Sequence, residues 1–171
     1  DTAERFAWDY RPGPRQGLSL GAMTPSQRDA AMAIVGAAMS ERGAREAGAI
    51  IALEPILGEI ERRAGRSDGM RRDPELYWFA VFGQAGGRLP WSWRVGGHHL
   101  AAQTTVADGR VIGPAPSFLG ANPATVSGGP FAGPRRIRGE ETLAPALLAT
   151  PTPAHRGAAV AARAAPPPLP A

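Results

Sequence analysis

Two adjacent histidines, His98 and His99, lie in the run WSWRVGGHHLAAQ, behind two glycines and a Trp-Ser-Trp-Arg segment. Side-by-side imidazoles suit three kinds of chemistry. One or both can ligate a divalent metal ion, since neutral imidazole is a common ligand. One can move a proton, because histidine's unperturbed pKa of about 6.5 suits transfer near neutral pH. Either can also be an ordinary sheet residue, hydrogen-bonded beside Trp91 and Trp93. A metal needs two or three further ligands. Glu140, Glu141, Asp108 and His155 are available, but none stands at a motif spacing such as HExxH. His98 and His99 are therefore both the candidate catalytic residues and the candidate ligands of a divalent metal ion, with the acid/base and structural roles left open.

Arginines form a second constellation. Arg94 sits next to Trp93, where its guanidinium can stack on an aromatic face or grip a carboxylate or phosphate. Arg94 is the third candidate catalytic residue, assigned to orient an anionic group, and Trp91, Trp93, Arg11, Arg15 and Asn122 of the GANPA loop are the candidate substrate-binding residues. Trp78, Trp91 and Trp93 can line a ligand cleft, though aromatics at strand spacing also build cores.

Composition removes several chemistries. There is no cysteine, so there is no disulfide framework, thiol nucleophile or Cys-ligated zinc. All 19 basic residues are arginine, which excludes lysine Schiff bases and a P-loop lysine. No GxSxG, P-loop or dinucleotide fingerprint is present. The net charge is +4, of which Arg156 and Arg163 supply two without any neighbouring acid. That leaves a weak argument for nucleic acid, whose best case is Arg62, Arg63, Arg66, Arg71 and Arg72. No stretch approaches the roughly 18 apolar residues of a membrane span. The chain starts DTAERFAWDY, without an initiator Met or signal-peptide pattern, so the start reads as processed or cut, and compartment is not legible.

The elements that must position these residues follow from local signals. Residues 1–23, with RPGPRQG, read as an extended arm. TPSQ at 24–27 predicts a helix start with a capping box and Pro at the first position, and Gly43 predicts its stop. A second helix is expected over Ala44 to Ala64, closed by Gly65, with a kink or late restart at Pro55. Two helices joined so tightly predict an antiparallel hairpin. From Leu76 the period becomes that of strands: Leu76–Phe82, Trp91–Val95, His98–Val106 and, after a tight turn at Asp108-Gly109, Arg110–Ile112. On such a strand His98 and His99 face opposite ways unless Gly96 and Gly97 bulge it. Phe118 and Phe131 are expected to anchor the following Gly/Pro-rich loop, and GEETLAPALLAT to form a short helix. In residues 151–171, 14 of 21 are Ala or Pro, too little to build a core. The expected class is α+β: a helical hairpin on an antiparallel meander of about four strands in one domain over 1–150, then a disordered or out-of-frame tail over 151–171.

The motifs WDYRPGPRQGLSLGAMTPSQR, SERG, LEPILGEIE, RDPELYWFAVFG, WSWRVGGHHL, PSFLGANPATV and GEETLAPALL, in that order, resemble a bacterial family known as domain of unknown function 3500, over about residues 8–148. The resemblance implies a fold but no established activity. It also implies an asparagine a few residues after the double histidine, where this chain has Gln103, and a longer protein with further histidine-rich and acidic motifs. The functional expectation is the N-terminal part of a metal-dependent enzyme with a His-His site. The alternative is a non-catalytic module holding a small molecule or peptide in a Trp/Arg-lined cleft.

Overall fold

The computed structural model describes residues 3–66, 71–126, 128, 139–150 and 152–160. The chain divides into two units, Asp1–Arg136 and Ile137–Ala171.

Helix α1 (Pro25–Ala38) starts where the capping signal puts it. Thr24 Oγ1 accepts the Gln27 N–H at 3.4 Å, and the Gln27 side chain accepts the Thr24 N–H at 2.9 Å. It ends before Gly43, because Ser40 opens helix α2 (Glu41–Arg63) by accepting the N–H of Gly43 at 3.1 Å. A serine there satisfies an amide that a helix start leaves open, so Gly43 lies in the first turn of α2 and does not end α1. α2 continues through Pro55 without the predicted restart. Pro55 is exposed, so the carbonyl that loses its donor is on the side water reaches. Gly65, at φ +62°, follows the helix end as expected. The two helices pack on one another. α2 buries Ala47, Ile50, Leu53, Glu54 and Leu57, a stripe at three-and-four spacing.

The antiparallel sheet has the order β1-β2-β3-β4-β5: β1 (Leu18–Ser19), β2 (Tyr77–Phe82), β3 (Trp91–Gly97), β4 (Leu100–Ala107) and β5 (Arg110–Gly113). A short β6 (Ser117–Leu119) pairs with the other end of β4. The four-strand meander is thus present with two additions, β1 and β6, both too short to show a period in sequence. Asp108 (φ +49°) and Gly109 (φ +71°) make the predicted turn into β5.

Directly paired residues share a face. Tyr77, Phe79, Val95, Gly97, Leu100 and Ala102 lie on one side, and Trp78, Phe82, Arg94, Gly96 and Gln103 on the other. Tyr77, Val95 and Leu100 are fully buried, as is Ile50 of α2, and Leu53 and Leu57 of α2 are also buried. Each large aliphatic among them contributes roughly 1.5–3 kcal/mol by leaving water. Trp93 belongs to this core and is 3% exposed.

The expected strand His98–Val106 is corrected. β3 ends at Gly97, β4 begins at Leu100, and Gly97 pairs with Leu100, so His98 and His99 are the two-residue turn between them. His99, the second turn residue, has φ +59° while His98 has no positive φ, the pattern of a type II turn, in which glycine usually supplies that position. Gly96 and Gly97 do not bulge the strand. Gly97 admits the ring of Tyr77, which a Cβ there would strike, and a Cβ at Gly96 would lie 3.1 Å from Cδ of Arg15.

In the second unit, helix α3 (Gly139–Ala149) forms where GEETLAPALLA predicts it. A seven-residue helix α4 (Pro153–Ala159) follows, where composition predicted none, started by Thr152 accepting the His155 N–H at 3.3 Å. It buries no residue. Phe131 and the side chains of Glu140 and Glu141 lie outside what the structure describes.

Candidate active site

The turn carrying the two histidines is fixed from three directions. The Tyr77 hydroxyl donates to the His98 carbonyl at 2.8 Å, the His99 N–H donates to the Tyr10 carbonyl at 2.8 Å, and the Gly120 N–H donates to the His99 carbonyl at 2.8 Å. Burial, with the charge of Glu54 adding to it, pushes the Tyr77 phenol well above its ordinary pKa, so it remains a donor. Strand β2, the N-terminal arm and the segment after β6 therefore each hold the turn by one bond.

Because the histidines occupy a turn, strand alternation does not separate their rings. The ring centroids are 4.1 Å apart and nearly perpendicular. His98 Nδ1 lies 2.6 Å from Oε1 of Glu54, and both side chains are buried. A carboxylate can only accept, so in the bond to it Nδ1 is the donor and Nε2 is the ring nitrogen left for another partner. His99 differs. Burial first, then the neighbouring His98 and Arg72, push its imidazole down to about 4, and its buried Nδ1 meets no hydrogen-bond partner among the described residues. It is neutral at pH 7.

Glu54 and His98 line a cavity of about 170 Å³. Its other walls are Leu76, Trp78, Arg71 and the arm turn at 12–14. The Arg15 guanidinium stands over the Trp78 ring, 5.8 Å from its centroid. Arg71 pairs with Asp73, Arg72 with Glu61 at 2.9 Å, and Arg62 and Arg63 both with Glu59.

The other sequence-derived candidates go elsewhere. Arg94, 5% exposed, does not stack on its neighbour Trp93: it binds the Glu4 carboxylate and the carbonyls of Glu4 and Ala7, and its guanidinium lies 5.3 Å from the Phe82 ring centroid. Trp91 and Trp93 share a face opposite to Arg94 for the same alternation reason. Arg15 donates to the carbonyls of Asp9, Arg11, Gly13 and Gly97. Arg11 pairs with Asp9 at 3.0 Å on the surface and holds that carboxyl below its usual range. Arg94, Arg11 and Arg15 do share a cavity of about 410 Å³ under the arm, but their described partners there are the protein's own groups. Asn122 lines a separate cavity of about 560 Å³ with Leu57, Ile60 and Glu61 of α2. Gln103 faces Arg94 across the ladder, away from the turn. Asp108 lies at the opposite end of β4.

Glu54 was the residue missed in sequence. Its signal is a carboxylate at a position that continues the buried stripe of α2, four residues after Ile50 and three before Leu57. Among the described residues, no group of three His, Asp or Glu side chains forms a metal site.

Fold and site together define an α+β protein with a buried histidine-carboxylate pair at a hairpin turn, opening onto a small cavity. The chain belongs to the family described as protein of unknown function (DUF3500), which it matches over residues 1–169. The match continues past Thr150, further than the motifs quoted above. No curated protein and no solved structure matches the chain.

Proposed function

We propose that the protein is an enzyme acting on a small molecule held beside Glu54 and His98, with His98 as the proton-transferring group and Glu54 as its positioning residue. The observation that carries this reading is the buried 2.6 Å bond between them at the wall of a cavity. Burying a carboxylate costs several kcal/mol that an apolar residue would not incur, so a pair kept at a cavity wall favours a site over a packing role. Glu54 fixes the ring and its tautomer, Nε2 takes a proton from the bound group, and the carboxylate stabilises the resulting imidazolium. Removing such a base costs roughly 10²–10⁴ in rate.

The experiment is a turnover screen on a panel of small hydroxylated and carbonyl compounds, with wild type, Glu54→Gln and His98→Asn run side by side. Turnover lost in both variants while their folded spectra are kept is the expected result. Turnover equal in all three removes the reading and leaves a binding module for a small molecule or peptide.

A metal-dependent version of the same site is favoured by His99. Metal-bound histidines generally pass their second ring nitrogen to a carboxylate, as His98 does to Glu54, and a neutral imidazole with an unpartnered nitrogen is in the ligating form. Metal content by mass spectrometry of wild type and a His98→Ala/His99→Ala double variant decides between them. Near-stoichiometric metal that disappears in the variant selects the metal-dependent version, and its absence from both selects the metal-free one.

A further inference from the structure

Resting on the acid/base reading of His98, we propose that the cavity at Glu54 takes a single aromatic ring bearing a neutral hydroxyl, that is, a simple phenol. Size sets the first limit. A cavity of about 170 Å³ is close to the roughly 150 Å³ apolar cavity that accommodates benzene, so one six-membered ring is enough to fill it. The walls set the second. Trp78, Leu76 and the prolines at 12 and 14 are apolar, and Trp78 offers a flat face for stacking. Arg15, standing over that indole, and Arg94, clamping the arm, hold these walls in place before any ligand arrives.

Polarity sets the third limit. His98 Nδ1 is committed to Glu54, so Nε2 is the ring nitrogen left to meet a ligand, and in the neutral imidazole that the acid/base reading requires it presents a lone pair. The ligand group there must donate a hydrogen. A carboxylate cannot donate, and it would bring a second negative charge towards Glu54. Arg71, the cation on the cavity wall, already pairs with Asp73 and does not offset that charge. A phenol O–H satisfies Nε2, places its ring against Trp78, and can pass its proton to His98 so that the O–H bond breaks as the N–H bond forms.

The test is a ligand ranking on the unmodified full chain, followed by NMR at the Trp78 indole and the His98 imidazole. Trp78→Phe assigns the indole signal. Phenol, toluene, benzoate and 2-naphthol are the probes. Expected is saturable phenol binding that perturbs both signals, with toluene at least about tenfold weaker, as one lost hydrogen bond predicts, and benzoate and 2-naphthol weaker still. Toluene or benzoate binding as well as phenol overturns the polarity argument, and 2-naphthol doing so overturns the size limit. Phenol leaving both signals unmoved overturns the proposal outright. The same spectra report the His98 tautomer. An Nδ1–H form with no phenol binding sinks the ligand class alone, whereas an Nε2–H form sinks the acid/base reading beneath it.

Discussion

Glu54 on α2 and His98 at the β3–β4 turn are 44 residues apart in the chain and 2.6 Å apart in space. The bond ties helix to sheet at the point where the turn's position matters most. Glu54→Ala removes the acceptor and leaves a buried imidazole without it. We expect a loss of about 2–3 kcal/mol from an unmade buried bond, read by urea denaturation. Glu54→Gln, which keeps an acceptor oxygen and the volume, should lose less than half of that. Equal losses would show that the charge, and not the bond, holds the pair together.

His99 holds a left-handed conformation without the freedom of glycine. His99→Gly should therefore be neutral or stabilising, by up to about 1 kcal/mol, although it deletes a half-buried ring. Thermal unfolding should rise by up to about 2–4 °C. A fall of several degrees would mean that the ring's packing beside Phe118, 6.4 Å away between centroids, outweighs the backbone strain.

Stability should also depend on pH through His99. Its folded value of about 4 lies below the unfolded 6.5, so between these limits the unfolded chain binds the extra proton. Stability from this group is complete above pH 6.5 and declines as pH falls towards 4. A shift of this size corresponds to about 3 kcal/mol, which solvent at the half-exposed ring reduces to about 1–2 kcal/mol. Denaturation midpoints of wild type minus His99→Gly across pH 4 to 7 isolate the effect from the carboxylates. A flat difference curve would contradict it.

Arg94 is the principal clamp on the start of the arm. Arg94→Ala should free residues 3–8 and cost about 2–4 kcal/mol, since it leaves a partly buried carboxylate and two carbonyls without their donor. Limited proteolysis should cut the variant in the arm while the remainder stays intact. Arg94→Lys should not restore protection, because an ammonium cannot reproduce the guanidinium's planar fork. Unchanged cleavage in either variant would assign arm docking to the Trp8, Tyr10 and Phe118 aromatics instead.

Much of the fold was legible because its signals are local. The Thr24-Pro25-Gln27 cap, the stop at Gly65 and the Asp108-Gly109 turn each depend on a few adjacent residues, and each formed as read. The site was only half legible. His98 and His99 stand out as a pair, but their turn was hidden: β-like residues continue on both sides, and a histidine at φ +59° announces nothing in sequence. Glu54 and Tyr77 could not be assigned to the histidines because their contacts are made across the fold. Arg94 was read against its nearest neighbours in sequence, whereas alternation turns it away from Trp91 and Trp93 towards Phe82 and the arm. Gly96 and Gly97 signalled a special backbone, but their reason is the neighbouring strand and arm: room for Tyr77 and Arg15.

The way the arm is held bears on how the sequence can drift. Arg94 and Arg15 grip it largely by its carbonyls, which every amino acid carries. Side chains at exposed positions such as Arg5 or Gln16 can therefore change at little cost to docking, while neither arginine has a substitute in this chain, which uses no lysine at all. The arm held in this way also supplies a wall of the cavity beside His98.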